Sequence, residues 1–251
     1  MDITPQLLTT LEKISDPKDL LKEIFSRFGN RAAIGTSGQL TGSVLIDMAC
    51  QTGLKPRIFT LDTLRLFPET YELFSEVEKK YGIQIEKVHP DPTKLSEMIR
   101  EHGEYLFFDS KEKQELCCNI RKVEPNEKML ETLDVWITGL RADQSRARAS
   151  TAKFEIQSRG ENKPPLLKVA PLVDWTEKQL RNYATQHQVP VHPLLNWNHE
   201  GWYYESLGCI LCTTPIGPNE ARRAGRWRWF NALDPNANKE CGLHGLKKIG
   251  R

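Results

Sequence analysis

The sequence predicts an α/β fold, a parallel sheet with helices on both faces, and three observations predict it. Short apolar runs at 31–35 (RAAIG), 57–61 (RIFTL), 83–88 (IQIEKV) and 134–138 (DVWIT) have the length and β-branched or aromatic content of buried strands. Helical stretches separate them, at about 42–53, 67–81 and 92–132, the last broken near Gly103. Strands alternating with helices build a parallel sheet, whose ligands sit beyond the carboxyl ends of the strands. The loops richest in small and polar residues fall there: GTSGQLTGS (35–43), LDTLRLFPETY (61–71) and TGLRADQSRAR (138–148).

Each remaining element follows from local signals. Residues 5–28 read as helix broken at Ser15, Asp16 and Pro17, where Ser15 or Asp16 can cap the second segment. A strand near 166–170 and a helix near 175–187 complete the core. After Pro190 the chain turns Trp- and Gly-rich (HPLLNWNHEGWYYESLGCILCTTPIGP) and ends in a polar segment carrying ECGLHG. We therefore expect N-terminal helices (1–30), a nucleotide-binding α/β domain (31–189), and an appendage with a C-terminal tail (190–251) closing over the sheet. There is no internal repeat and no low-complexity segment.

Composition narrows the function classes. With 39% hydrophobic and 27% charged residues the chain is ordinary for a soluble protein. No apolar run approaches the roughly 20 residues that cross a bilayer. The N-terminus is acidic and amphipathic rather than signal-like, so we expect a cytoplasmic protein with no membrane partner. The net charge of +2 gives no long-range pull toward nucleic acid. Basic residues nevertheless gather locally, Arg141, Arg146, Arg148, Lys153 and Arg159 in one stretch and Arg222, Arg223, Arg226 and Arg228 in another. Such clusters suit a small polyanion, or are solvated faces.

The loop TSGQLTGS can present backbone N–H groups to phosphate oxygens at a helix start, although a tight strand-to-helix turn uses the same residues. No lysine follows Gly42, so it is not a GxxxxGK[ST] loop. The six cysteines are more specific. Cytosolic thiols stay reduced, so a disulfide framework is not expected. Cys117 and Cys118 are adjacent, and Cys209 and Cys212 form a CxxC. Two close pairs can ligate a zinc ion or a [4Fe–4S] cluster, or be buried thiols. Neighbouring side chains diverge, which favours ligands to different irons of a cuboid cluster. Cys50, among Val44, Leu45, Ile46 and Met48, reads as a core residue. Cys241, beside Gly242 and three residues before His244, is either an incidental thiol on a tail or a nucleophile that a cationic pocket would activate.

In that order, LDTLRLFPETY, CCNIRKVEP, TGLRADQSRAR, GCILCT, AGRWRW and ECGLH resemble the assimilatory sulfonucleotide reductases, in particular the cluster-containing adenylylsulfate (APS) reductases, over residues 31–246. The resemblance implies an adenine nucleotide alpha hydrolase-like fold and thioredoxin-dependent chemistry without flavin or nicotinamide. It makes Cys117, Cys118, Cys209 and Cys212 ligands of a [4Fe–4S] cluster and Cys241 the nucleophile. It places the substrate against Ser37, Gly38, Leu61, Asp62 and Thr63, with Lys122, Arg148, Arg223, Arg226 and His244 around the phosphosulfate. The 3'-phosphorylated nucleotide (PAPS) is the rival substrate. An ATP pyrophosphatase or a cluster-bearing sensor is a more distant reading, and a homo-oligomer remains open.

Overall fold

The computed structural model describes residues 3–145, 148–160 and 163–230. The chain opens with α1 (Pro5–Glu12) and α2 (Pro17–Phe28), each starting at a proline whose missing N–H costs nothing in the first turn. Of the two caps expected for the second segment, Asp16 serves, accepting from the Asp19 N–H at 2.9 Å. Then follow β1 (Ala32–Thr36), α3 (Leu40–Cys50), β2 (Arg57–Leu61), α4 (Pro68–Tyr81), β3 (Ile85–Val88) and α5 (Pro92–His102). The predicted break at Gly103 is real, with φ +80° ending α5.

The rest of the expected 92–132 stretch is α6 (Lys111–Cys118), a π-helical turn (Asn119–Val123) and α7 (Glu124–Leu130), run together without a gap. Pro125 explains the turn. It lacks an N–H, and its ring crowds the carbonyl four residues back, that of Arg121. A wider turn relieves the crowding. The chain continues through β4 (Val135–Thr138), β5 (Phe154–Gln157), β6 (Leu166–Val169) and α8 (Glu177–Gln186) to a small hairpin, β7 (Asn198–His199) with β8 (Trp202–Tyr203).

The six strands lie in the order β3-β2-β1-β4-β6-β5, parallel except β5. Period-two alternation divides the sheet's side chains. Ala32, Ile34, Ile58, Ile137, Leu167 and Val169 face a core built with α2, α3, α4 and α8. Ala33, Phe59, Trp136 and Leu166 face Met129 and Leu130 of α7. Helices thus cover both faces, as the alternating pattern predicts. The edge strand β5 was not foreseen: FEIQ is short and half polar. Its Glu155 pairs with Lys168 of β6 at 3.5 Å, and Lys168 lies over the Trp136 ring.

Strand β1 has β2 on one side and β4 on the other, so its outgoing connections diverge and a crevice opens at the carboxyl ends between β1 and β4. Among the described residues no helix is long and apolar enough to cross a membrane.

Candidate active site

A cleft of about 260 Å³ opens at that crevice. Gly35, Phe59 and Trp136 form its floor, and the glycine is required there: a Cβ would stand 2.7 Å from Trp136 Nε1 and 3.0 Å from the Phe59 ring. Thr36 ends β1, and its hydroxyl accepts the Gly38 N–H at 3.2 Å while Gly38 takes φ +72°. This turn delivers Ser37 to the cleft wall. Gln39 reaches across to the Leu207 carbonyl at 2.9 Å, joining the loop to the C-terminal segment.

On the β4 side, Arg141 is buried, with Nη1 donating to Thr41 Oγ1 at 2.7 Å and Nε to Asp143 at 2.9 Å. Arg148 lines the cleft and donates to Gln144 Oε1 at 2.5 Å. Lys122, Arg223 and Arg226 complete a cationic wall, and the Arg226 guanidinium lies 5.0 Å from the Trp227 ring centre. At the rim, Arg222 binds Glu205 and Glu177 and donates to the Asp143 carbonyl at 3.0 Å, tying the segment after Pro190 to α8 and the β4 loop. Burial pushes the Glu205 carboxyl up, with Glu177 adding to it and Arg222 opposing.

Next to the cleft, Cys117, Cys118, Cys209 and Cys212 line one buried pocket together with Arg65, Phe107, Gln114, Arg121 and Lys122. Lys122 lines both cavities. The sulfurs sit in markedly different surroundings. Burial pushes the Cys212 thiol up to about 12. At Cys209 burial also acts upward, yet Lys122, the Thr63 hydroxyl, Arg226 and Arg121 together hold the thiol below its ordinary value. Thr63 Oγ1 lies 3.2 Å from Cys209 Sγ, and Gln114 Nε2 donates to Cys118 Sγ at 3.1 Å. All four thiols are free of disulfides. Among the described residues no three His, Cys, Asp or Glu side chains are grouped as the ligands of one metal ion. Four free thiols lining one buried pocket, with cations beside them, fit the four-cysteine donor set and the net negative charge of an iron–sulfur cluster or a zinc tetrathiolate.

The expected substrate residues divide. Ser37, Leu61, Lys122, Arg148, Arg223 and Arg226 line the cleft together. Three of the expected set stand behind it. Gly38 is wedged against Thr70, Leu73 and His192; Asp62 accepts from Leu64 N at 2.9 Å and Tyr71 OH at 2.8 Å; Thr63 turns to Cys209. Cys241 and His244, like Arg146, lie outside the described residues. The sequence reading did not single out Trp136, Asn126 or the Arg222–Glu205 pair, all cleft residues. Arg222 was visible as a member of the 222–228 basic cluster, but its carboxylate partner Glu205 lies 17 residues upstream and gave no signal of the pairing.

Residues 31–215 match the phosphoadenosine phosphosulfate reductase domain, and the chain belongs to that family. An adenosine 5'-phosphosulfate reductase of Pseudomonas aeruginosa is 38% identical over 249 residues, which cover 98% of this chain and 88% of that one. The enzyme of the same name from Allochromatium vinosum is 40% identical over 201 residues, 80% of this chain and 73% of that one. The chloroplastic 5'-adenylylsulfate reductase 3 of Arabidopsis thaliana is 37% identical across 95% of this chain and 50% of its own length. Among solved structures, the phosphoadenylyl-sulfate reductase of Candida auris in its phosphate complex superposes with a TM-score of 0.66 at 25% identity, over 86% of this chain and 99% of that one.

Proposed function

We propose that this chain reduces adenylylsulfate to sulfite and AMP in assimilatory sulfate reduction. The observation that carries the reading is the sharing of Lys122 between a cationic nucleotide-sized cleft and the four-cysteine pocket. Relatives named for adenosine 5'-phosphosulfate reduction, matched over most of their length, support APS as the substrate.

In the proposed reaction Ser37 and Leu61 help seat the nucleotide, and Lys122, Arg148, Arg223 and Arg226 face the phosphosulfate. The Cys241 thiolate attacks the sulfate sulfur. An S–S bond forms, the S–O bond to the AMP phosphate breaks, and AMP leaves with the bonding pair, giving a cysteine thiosulfonate. The fixed cations stabilise the charge that builds on the phosphate and sulfonyl oxygens. A thiolate of a dithiol protein, thioredoxin in this reading, then attacks Cys241 Sγ and expels sulfite. Its second thiol resolves the mixed disulfide, so the two thiols supply both electrons and Cys241 returns as thiolate. Cys117, Cys118, Cys209 and Cys212 would hold a [4Fe–4S] cluster, which supplies structure and local electrostatics. Flavin and nicotinamide have no part in this scheme. We place the reaction in the cytoplasm, while the Arabidopsis relative is named chloroplastic.

The test is anaerobic mixing of the purified protein with sulfur-labelled APS or PAPS, without thioredoxin, followed by intact-mass and peptide analysis. The expected result is a sulfonate adduct confined to Cys241, formed faster from APS and released as sulfite by reduced thioredoxin. No adduct from either nucleotide in an iron-replete sample would overturn the covalent scheme.

A further inference from the structure

On α6 the sequence KEKQELCC places lysines and glutamates outward, yet Gln114 is 6% exposed and lines the cysteine pocket. A buried amide must find partners or cost free energy. This one, a turn before Cys118, spends its N–H on that sulfur at 3.1 Å. Three of the four sulfurs thus have a polar side chain directly against them, of three kinds, while Cys212 feels Lys122 and Arg226 through their charge alone. Cys209 has the Thr63 hydroxyl and the field of Lys122, Cys117 has the Arg121 guanidinium, and Cys118 has a neutral amide.

The positions differ in a further way. Lys122 lines both cavities, so whatever it does to the sulfurs is coupled to the nucleotide. Gln114 lines the cysteine pocket and is absent from the cleft wall. We propose that Gln114 is a positioning residue for the iron–sulfur cluster: its side-chain N–H···S hydrogen bond orients Cys118 and withdraws charge from that sulfur, independently of the nucleotide. The proposal rests on the cluster reading above. Hydrogen bonds to ligand sulfurs tune such clusters, and outer-shell partners hold ligands in place. An amide does this without adding charge beside the already cationic Arg65, Arg121 and Lys122.

The experiment compares the iron-loaded parent with Gln114→Met, which keeps length and volume without a donor, and Gln114→Glu, which replaces the donor by an anion. Iron and sulfide content, the visible sulfur-to-iron absorption, the rate of bleaching by an iron chelator under anaerobic conditions, and AMP affinity are read for each. Gln114→Met is expected to bind AMP like the parent, to shift the visible band, and to bleach about fivefold faster, the size of one neutral hydrogen bond. Gln114→Glu should bleach faster still. If Gln114→Met does not fold, the bleaching rate of Gln114→Glu, which preserves shape, is compared with that of the parent. Bleaching and absorption identical to the parent in a folded variant would overturn the proposal. A parent that holds no iron and sulfide would instead overturn the cluster reading, and this proposal with it.

Discussion

Gly208→Ala is expected to weaken nucleotide binding while leaving the fold almost intact. A Cβ at Gly208 would stand 2.1 Å from Nη1, 2.3 Å from Nη2 and 2.5 Å from Cζ of Arg226, so the guanidinium must leave its place in the cleft wall. The obstacle is the far end of a flexible side chain. The stability cost is then chiefly the lost stacking on Trp227, a cation–π contact worth up to about 2 kcal/mol when desolvated. Binding has more to lose, since hydrogen bonds to a charged group contribute about 1.5–3 kcal/mol, or about 10- to 150-fold in affinity. Gly225→Ala is the contrast. Its Cβ would meet the Thr214 backbone carbonyl oxygen at 2.1 Å, and backbone cannot swing aside, so this variant should lose about 1–3 kcal/mol or more of stability. Calorimetric titration with AMP and APS, beside urea unfolding, separates the two. Parent-like affinity in Gly208→Ala would show that Arg226, as placed here, does not serve the ligand. A stability loss equal to that of Gly225→Ala would refute the flexible-end reasoning.

Two further predictions concern residues that hold the site from behind. His192 is fully buried, with Nδ1 accepting the Leu194 N–H at 3.2 Å, so Nε2 carries the proton and donates to Thr70 at 2.9 Å. Burial keeps its pKa below the ordinary 6.5. Below that pH the unfolded chain binds a proton that the folded chain refuses, so stability should fall on acidification from pH 7 to 5. The slope is at most about 1.4 kcal/mol per pH unit. Urea midpoints for the parent and His192→Asn check it, and parallel pH slopes would sink the assignment. Asp47, in α3, is buried and accepts from Tyr81 OH at 2.8 Å, Tyr183 OH at 2.8 Å and Gln51 Nε2 at 2.7 Å. Asp47→Ala strands two half-buried phenols and should cost about 2–3 kcal/mol in urea unfolding, whereas a loss below about 0.5 kcal/mol would mean that water replaces the carboxylate freely.

The parallel sheet was legible because its buried strands are short and apolar on both faces, as RIFTL and DVWIT are, and because glycines and prolines mark helix ends such as Pro68 and Gly82. Strand β5 was not. An edge strand with one partner needs apolar residues on one side only, and in FEIQ the remaining polar positions are paid for by tertiary contacts such as Glu155 with Lys168. Helix α3 misled in its start: GTSGQLTGS reads as loop to Ser43, but the helix begins at Leu40 and carries Gly42 inside it, where a Cβ would be 2.4 Å from Thr36 Oγ1.

The site shows the same division. Cys117–Cys118 and Cys209–Cys212 are visible as pairs, but that they share one pocket depends on the segment after Pro190 returning to the second loop, where the Ile210 N–H donates to the Arg65 carbonyl at 2.8 Å. That return also brings Cys209 Sγ to 3.2 Å from the Thr63 hydroxyl. The least legible feature is the π turn. In a regular α-helix, residues four and five after Cys117 would follow the usual 100° steps, and the faces of Arg121 and Lys122 could be read from the cysteine positions. The wider turn forced by Pro125 resets that phase. Arg121 then reaches back to the Thr63 carbonyl at 2.8 Å, and the next residue, Lys122, stands between the sulfurs and the cleft. Spacing rules assume a constant pitch, so the residue that links the two cavities is the one they place worst.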